Sequence, residues 1–415
     1  MPDTETFEIE FTSLAYGGDA MGRLPDCRAV FTPFVLPGEI GRIRLIEQRR
    51  GFARGQIIEL LRPSPDRIAP RCAHFGVCGG CHYQHLPYER QLAAKAAILS
   101  EQLQRIGGLA SVPQLEPVLS PEPFNYRNYI QFHLAPDGRL GFHRAQSTTV
   151  LPIQECHLPQ PALNAIWPQM EFEAGAGLDR VGLRCGVDEE VQLILESGDP
   201  SLPEFSLEEL DLTAVHLGPA GAAVLAGGDS LPMEILGRVF RVSAASFFQT
   251  NPGVAGRMVE HVLDSLALKP GDSVLDLYCG VGLFSAFLAP RCAELVGVES
   301  SASAVEDFAA NLDEYDHVSI YESTAEQALP VLDFHPQAVL VDPPRAGLAP
   351  VVIDHLLHLA APQLIYISCD PATLARDLRR LTAGGYQVEH VRLFDMFPQT
   401  YHIETVALLT KGLSG

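Results

Sequence analysis

Positive charge is scarce in this chain: Lys and Arg number 29 against 51 Asp and Glu, a formal charge of −22. That balance argues at first sight against a polyanionic partner, because phosphate binding needs cations. No apolar run is long enough to span a bilayer, and the start, MPDTETFEIEF, lacks both a basic and an apolar leader region. Neither a membrane association nor a secretory leader is therefore expected, and the cytoplasm is the predicted location. There is no internal repeat, no low-complexity segment and no complete GxGxxG dinucleotide fingerprint. At 415 residues the chain is too long for one ordinary core, and two or three domains are expected.

The cationic charge that is present is concentrated. From Arg42 to Arg71 eight arginines (42, 44, 49, 50, 54, 62, 67, 71) face only Glu47, Glu59 and Asp66, so this segment could be the electrostatic footprint of an RNA-binding module. A solvated, arginine-rich sheet face is the plainer alternative. The nine cysteines are equally uneven. Cys72, Cys78 and Cys81 form C-x5-C-x2-C, Cys156 lies far downstream, and Cys27, Cys185, Cys279, Cys292 and Cys369 stand alone. Without a secretory signal a disulfide framework is not expected. Four thiolates suit either zinc or an iron-sulfur cluster, but the long first interval and the remote fourth ligand fit the paired knuckles of structural zinc sites poorly.

Residues 1–62 alternate apolar and polar positions between GGDAMG and LPGE turns, the pattern of a small antiparallel β-barrel. A proline-rich linker, RPSPDRIAPRC, leads to the cysteine cluster. One amphipathic helix follows, with Leu92, Ala96, Leu99, Leu103 and Ile106 on its apolar stripe and Gly107 and Gly108 at its end. Residues 63–236 otherwise read as strand-rich and turn-rich, a central α+β region. Over 237–415 short apolar runs (SVLDLY, ELVGVES, AVLVDPP, QLIYISC, TVALLT) alternate with helical stretches, which predicts an α/β, doubly wound, mainly parallel Rossmann-like sheet with ligands at the carboxyl ends of its strands.

In VLDLYCGVGLFS an apolar strand meets a glycine turn and a helix start, and Gly280 and Gly282 would let the backbone approach a ligand. The next strand ends in Glu299, placed to accept hydrogen bonds from a ribose. With DPPRAG, SCDP and FFQTN in the same region, this set resembles the RNA uracil-5 methyltransferase family along nearly the whole chain. The resemblance implies an N-terminal OB-like TRAM domain, a central region holding a 4Fe-4S cluster on Cys72, Cys78, Cys81 and Cys156, and a C-terminal S-adenosyl-L-methionine-dependent catalytic domain. It implies Gln249, Tyr278, Gly280, Glu299 and Asp342 as cofactor contacts. Leu283 and Ser323 depart from it, standing where some members have asparagines.

Carbon 5 of uracil is a poor nucleophile until something adds to carbon 6, and a thiolate can do this. Cys369 follows an apolar strand and precedes a helix, where the helix dipole and free N–H groups would favour the anionic sulfur. Taken alone it could as well be one more inert buried cysteine; the SCDP pattern of the family marks it as the nucleophile and Glu404 as the base that removes the carbon-5 proton. His402 is assigned to local structure. Arg127, Arg144 and neighbouring aromatics suit phosphate contact and stacking, with exposed arginines over core aromatics as the alternative reading. The partner implied is structured RNA, 23S rRNA more than tRNA, with no DNA, and the protein is expected to be a monomer. An adenine amino-methyltransferase would prefer an aromatic where Arg345 stands and would not need Cys369; a non-catalytic RNA-binding iron-sulfur protein would explain only the first half.

Overall fold

A computed structural model describes residues 6–109, 111–199, 201 and 212–412. The first five strands (Thr6–Leu14, Ala20–Arg23, Ala29–Thr32, Ile40–Gln48 and Phe52–Arg62) close into a barrel. Alternation delivers Ile9, Phe11, Val30, Ile43 and Ala53 to its interior. The barrel is not wholly antiparallel: Ala29–Thr32 runs parallel to Phe52–Arg62, and this pairing closes the ring. The buried carboxylate of Glu39 accepts hydrogen bonds from Leu36 N (2.8 Å), Ser64 N (3.1 Å) and Arg67 Nε (2.6 Å), which fastens the start of the linker to the barrel.

The arginine-rich segment is largely neutralised by its own neighbours. Arg42 pairs with Glu8 and Glu59, Arg49 with Glu47, Arg54 with Asp19, Arg62 with Glu10 and Arg67 with Glu39. Five of the eight arginines are therefore paired, which favours the solvated sheet face, because Glu8, Glu10, Asp19 and Glu39, outside the counted segment, meet these guanidinium groups once the strands pair; among the described residues Arg44, Arg50 and Arg71 form no ion pair.

The helix spans Tyr88–Arg105, and its buried face carries Gln91, Lys95 and Gln102 as well as Leu92, Leu99 and Leu103. A seven-stranded sheet follows, built from Tyr129–Leu134, Leu140–His143, Val150–Pro152, Arg180–Cys185, Val191–Glu196, Thr213–Gly218 and Gly221–Ala226. The expected division at residues 236 and 237 falls in the turn of a hairpin, Ser230–Ile235 with Arg238–Ser243.

The last sheet has eight strands, in the order Val318–Glu322, Glu294–Glu299, Ser273–Leu277, Ala338–Val341, Gln363–Ser368, Glu404–Lys411, Tyr386–Phe394 and Gln114–Val118. Its first five strands are mutually parallel. The order in which strands are added reverses between Ser273–Leu277 and Ala338–Val341, which opens a crevice at their carboxyl ends. The edge strand Gln114–Val118 comes from the central region, and one hydrophobic core runs from the barrel through the Tyr88–Arg105 helix to one face of this sheet. No helix among the described residues is long and apolar enough to cross a membrane.

Candidate functional site

Short apolar strands end together along the crevice, and their carboxyl-terminal residues line one cleft of about 690 Å³. Gln249, Tyr278, Gly280, Glu299, Asp342, Cys369 and Glu404 all face it, so residues spread over more than 150 positions converge; Leu283 and Ser323 line it too. After Leu277 the backbone turns through Tyr278 (φ 61°), Gly280 (φ 54°) and Gly282 (φ 87°) before the helix Leu283–Leu288 begins. A Cβ on Gly282 would stand 2.5 Å from Leu312 Cδ1, so a side chain is excluded by packing as well as by conformation.

Glu299 is held by backbone donors: Oε1 accepts from Ser300 N (2.7 Å) and Ser301 N (2.8 Å), Oε2 from Gly280 N (3.1 Å). Ser300 Oγ also lies 3.4 Å from Oε1, so the acceptor position left open is on Oε2, which has Gly280 N alone. Gln249 sits in a loop pinned from three sides. Arg184 donates to the carbonyls of Ser243 (2.8 Å) and Ser246 (2.7 Å), Asn128 Nδ2 donates to Gln249 O (3.1 Å), and buried Asp307 accepts from Arg241, Ser243 N and Ser246 Oγ. These supporting residues were not found from sequence, where each is a lone polar residue in an unremarkable strand, helix or loop.

Asp342 is half-buried and its carboxyl is pushed up to about 7 by desolvation. Glu404, 5 % exposed, lies well above the ordinary carboxylate range, through burial and then the proximity of Asp342. Cys369 follows the strand Gln363–Ser368, and its thiol is pushed up to about 12, first by burial and then by Glu404 and Asp342, with Arg345 acting in the opposite direction. The expectation that the following helix makes the sulfur anionic is thus corrected. Asp370 caps that helix, accepting from Ala372 N and Thr373 N at 3.0 Å each, so an intervening carboxylate occupies the donors that a thiolate would have used.

Two further groups meet at Asp370, the residue after Cys369. Tyr16, from the barrel, donates to Asp370 Oδ2 (3.0 Å), and the Arg345 guanidinium lies 3.5 Å from the same oxygen and 3.4 Å from the Tyr401 hydroxyl. Tyr16 and Tyr401 meet edge to face at 5.6 Å. The barrel therefore contacts the residue that follows Cys369 directly. On the other side, the segment between the last two strands carries Phe397 into the cleft; buried Lys95 fixes it through Asp395 (2.6 Å) and Phe397 O (3.0 Å).

Cys72, Cys78, Cys81 and Cys156 line a second cavity, of about 510 Å³. Burial pushes the Cys81 thiol up to about 12 and that of Cys156 up to about 11. Gly80 N and Gln84 Nε2 donate to the sulfurs of Cys78 (3.4 Å) and Cys81 (3.2 Å). Among the described residues no three His, Cys, Asp or Glu side chains are gathered closely enough to hold a single metal ion. Arg127 does not point outward to solvent as a phosphate contact would. It lines this cavity and lies over the rings of Tyr126 and Phe397, 5.8 Å from each, whereas Arg144 is exposed. Cys185 is buried in the central sheet.

Comparison with known proteins places these features in context. Residues 229–412 match the family model described as tRNA (uracil-5-)-methyltransferase, and residues 4–58 match that of the TRAM domain. The chain is 33% identical over 430 residues to 23S rRNA (uracil(1939)-C(5))-methyltransferase RlmD of Vibrio cholerae, covering 99% of this chain and 97% of the relative. It is 34% identical over 443 residues to an uncharacterized RNA methyltransferase of Thermosynechococcus vestitus, covering 98% of each. A solved structure, Pyrococcus abyssi tRNA (uracil-54, C5)-methyltransferase in complex with S-adenosyl-L-homocysteine, is similar over 97% of this chain and 100% of its own, with 26% identity and a TM-score of 0.73.

Proposed function

Because the chain belongs to the RNA uracil-5 methyltransferase family, we propose that it methylates carbon 5 of one uridine in 23S rRNA, using S-adenosyl-L-methionine and a covalent enzyme–RNA adduct at Cys369. The observation that carries this reading is the proximity of Cys369, Glu404 and Asp342 to one another in the same cleft as the glycine turn and Glu299. The residues fit the cofactor: Gly280 and Gly282 leave the backbone open, Glu299 offers an acceptor to a ribose hydroxyl, Gln249 and Tyr278 supply a polar and an aromatic wall, and Asp342 lies toward the thiol. S-adenosyl-L-methionine would supply an electrophilic methyl group and a positive charge to this cleft.

Burial is the first cause of the raised thiol and the neighbouring Glu404 and Asp342 the second, with Arg345 opposing them; a cation bound in the cleft would act in the same direction as Arg345 and favour the ionised carboxylates and thiolate that the reaction needs. The Cys369 sulfur then bonds to carbon 6 of the uracil, and the ring electrons so released let carbon 5 take the methyl group. Glu404 removes the carbon-5 proton and the carbon 6–sulfur bond breaks, regenerating the thiolate. The target base must leave its stack to reach this depth.

The second cavity fits a 4Fe-4S cluster. Four thiols surround a shared space, and N–H groups donate to two of them, Cys78 and Cys81, a donor set that suits an iron-sulfur cluster. Cys72, Cys78, Cys81 and Cys156 would hold it, and it would tie the linker to the central sheet. Anaerobically purified protein should be brown and contain iron; a colourless protein with stoichiometric zinc overturns this assignment.

The RlmD relatives favour 23S rRNA, while the similarity to the Pyrococcus abyssi enzyme supports tRNA as the second reading. Both RNAs carrying 5-fluorouridine should be tested, since fluorine cannot leave carbon 5 as a proton does and the adduct is trapped. Wild-type protein is expected to form a denaturation-resistant adduct with rRNA, and Cys369→Ala none. Equal yields from the two proteins would refute the nucleophile assignment.

A further inference from the structure

A third cleft, of about 390 Å³, lies outside both cavities, between the barrel and the cysteine-bearing loop. Its barrel wall carries Phe31, Phe34, Phe52 and Arg54, its floor Tyr16, and its far rim His82. Phe31 and Phe52 come from the two strands that pair in parallel, with Phe31 opposite Arg54, and their rings meet edge to face at 6.2 Å. None of the three phenylalanines belongs to a hydrophobic core: the barrel interior is filled by other residues, and these rings are half-buried on the side of the cleft. Large aromatic faces left outside a core at a concave surface mark a place for a ligand.

The opposite wall is held at a fixed distance. A Cβ on Gly18 would stand 2.9 Å from the His82 ring, so the barrel turn rests directly on the cysteine loop. Arg54, paired with Asp19 at 3.0 Å and with Glu47 at 3.4 Å, keeps a guanidinium about two-fifths exposed at the rim. Tyr16 connects the cleft to the catalytic end, since it lines this space and donates to Asp370, the neighbour of Cys369.

We propose that this cleft is a second nucleotide site, taking one unpaired base of the RNA that flanks the target uridine, stacked on the barrel phenylalanines with Arg54 at its polar edge. This rests on the RNA methyltransferase reading. A base fits because it offers a flat π-face to the rings and polar edges to Arg54 and Asp19, and because pulling the target uridine from its stack leaves neighbours unpaired within reach of a surface continuous with the catalytic cleft. A site of this kind recruits the barrel by aromatic stacking, where pairing with acids has removed most of its free cationic charge.

The test uses the full-length protein and an rRNA fragment that the wild type methylates; absence of methylation by wild type would count against the functional reading, not against the cleft. Phe52→Ala and Phe31→Ala are expected to weaken RNA binding by about 5- to 150-fold each, the range given by alanine replacement of a stacking ring, with the loss in KM for RNA. Phe52→Leu, which keeps bulk and loses the ring, should be impaired similarly, and Phe52→Tyr should bind as wild type. S-adenosyl-L-methionine binding shows that each variant is folded. Ultraviolet cross-linking of wild type should attach one RNA nucleotide to a peptide containing Phe31 or Phe52. Folded Ala and Leu variants that bind RNA as tightly as wild type, or cross-links confined to other segments, overturn the proposal.

Discussion

Replacing Lys95 by methionine should cost about 3–5 kcal/mol of stability, the usual consequence of leaving one member of a buried ion pair uncompensated. Neither side chain of the Lys95–Asp395 pair has any solvent exposure, and the ammonium lies 2.6 Å from Asp395 Oδ1 and 3.0 Å from Phe397 O. Asp395 Oδ2 makes no hydrogen bond and the polar side chain beside the carboxylate is the neutral Tyr88 hydroxyl, so without Lys95 the charge loses its cationic partner. Methionine has nearly the length of the lysine stem, so the cavity contribution is small and the loss is electrostatic. Set against a typical total of about 5–15 kcal/mol, it is roughly a fifth of the stability or more. Urea denaturation at constant slope measures it directly. Lys95→Met with Asp395→Leu should regain most of the loss, because an apolar pair replaces the ion pair without an orphaned charge. The reasoning is wrong if the single variant loses less than about 1 kcal/mol, or if the double variant is as unstable as the single.

Burial raises the Asp342 carboxyl from 3.8 to about 7, so between those values the folded protein binds the proton more tightly than the unfolded chain does. The stabilising contribution is complete below about pH 4 and is lost as pH rises through 7, up to about 4 kcal/mol for this group; the melting temperature of ligand-free protein should fall over that window, and Asp342→Asn should flatten the fall. Glu404 acts with the same sign. Tyr16→Phe removes a hydroxyl donor to the Asp370 carboxylate and should cost about 1.5–3 kcal/mol, the usual range for a bond to a charged acceptor; a variant as stable as wild type would show that the barrel merely rests against the catalytic helix.

Four of the five parallel strands were legible because each is a short, largely apolar run ending near an acid, a glycine turn or a cysteine, and burial on both faces demands that pattern; the fifth, Val318–Glu322, lies at the sheet edge, is mostly exposed and lacks it. Gly280, Glu299, Asp342 and Cys369 could be placed at strand ends for the same reason. The Tyr88–Arg105 helix was legible from Leu92, Leu99 and Leu103, but its face was misread: Lys95, Gln91 and Gln102 are buried, and Ala96 is not fully so. Periodicity assigns polar residues to solvent and cannot see a partner 300 positions away. The edge strand Gln114–Val118, mostly exposed, shows too little apolar alternation to be read as part of the last sheet. The arginine count and the helix-terminus argument for Cys369 failed in the same way, since Glu8, Glu10 and Asp19 in one case and the capping Asp370 in the other decide the local charge only after folding.

The segment from Asp395 to Ile403 shows why the site cannot be read from its own residues. His82 N and Tyr83 N donate to Gln399 O at 2.8 and 3.0 Å, Tyr126 Oη donates to Pro398 O at 3.1 Å, Asn251 Nδ2 to Met396 O at 3.3 Å, and Lys95 Nζ to Phe397 O. The cysteine loop, the helix, the approach to the central sheet and the catalytic domain each grip a main-chain carbonyl of this one segment. Main-chain acceptors carry no side-chain signature, so no motif announces them, yet they fix Phe397 in the cleft and deliver the chain to Glu404 at the start of the last strand. The shape of the catalytic end is consequently a property of the assembled regions. A change at the cysteine loop can move Glu404 through Gln399 without touching any residue of the cleft.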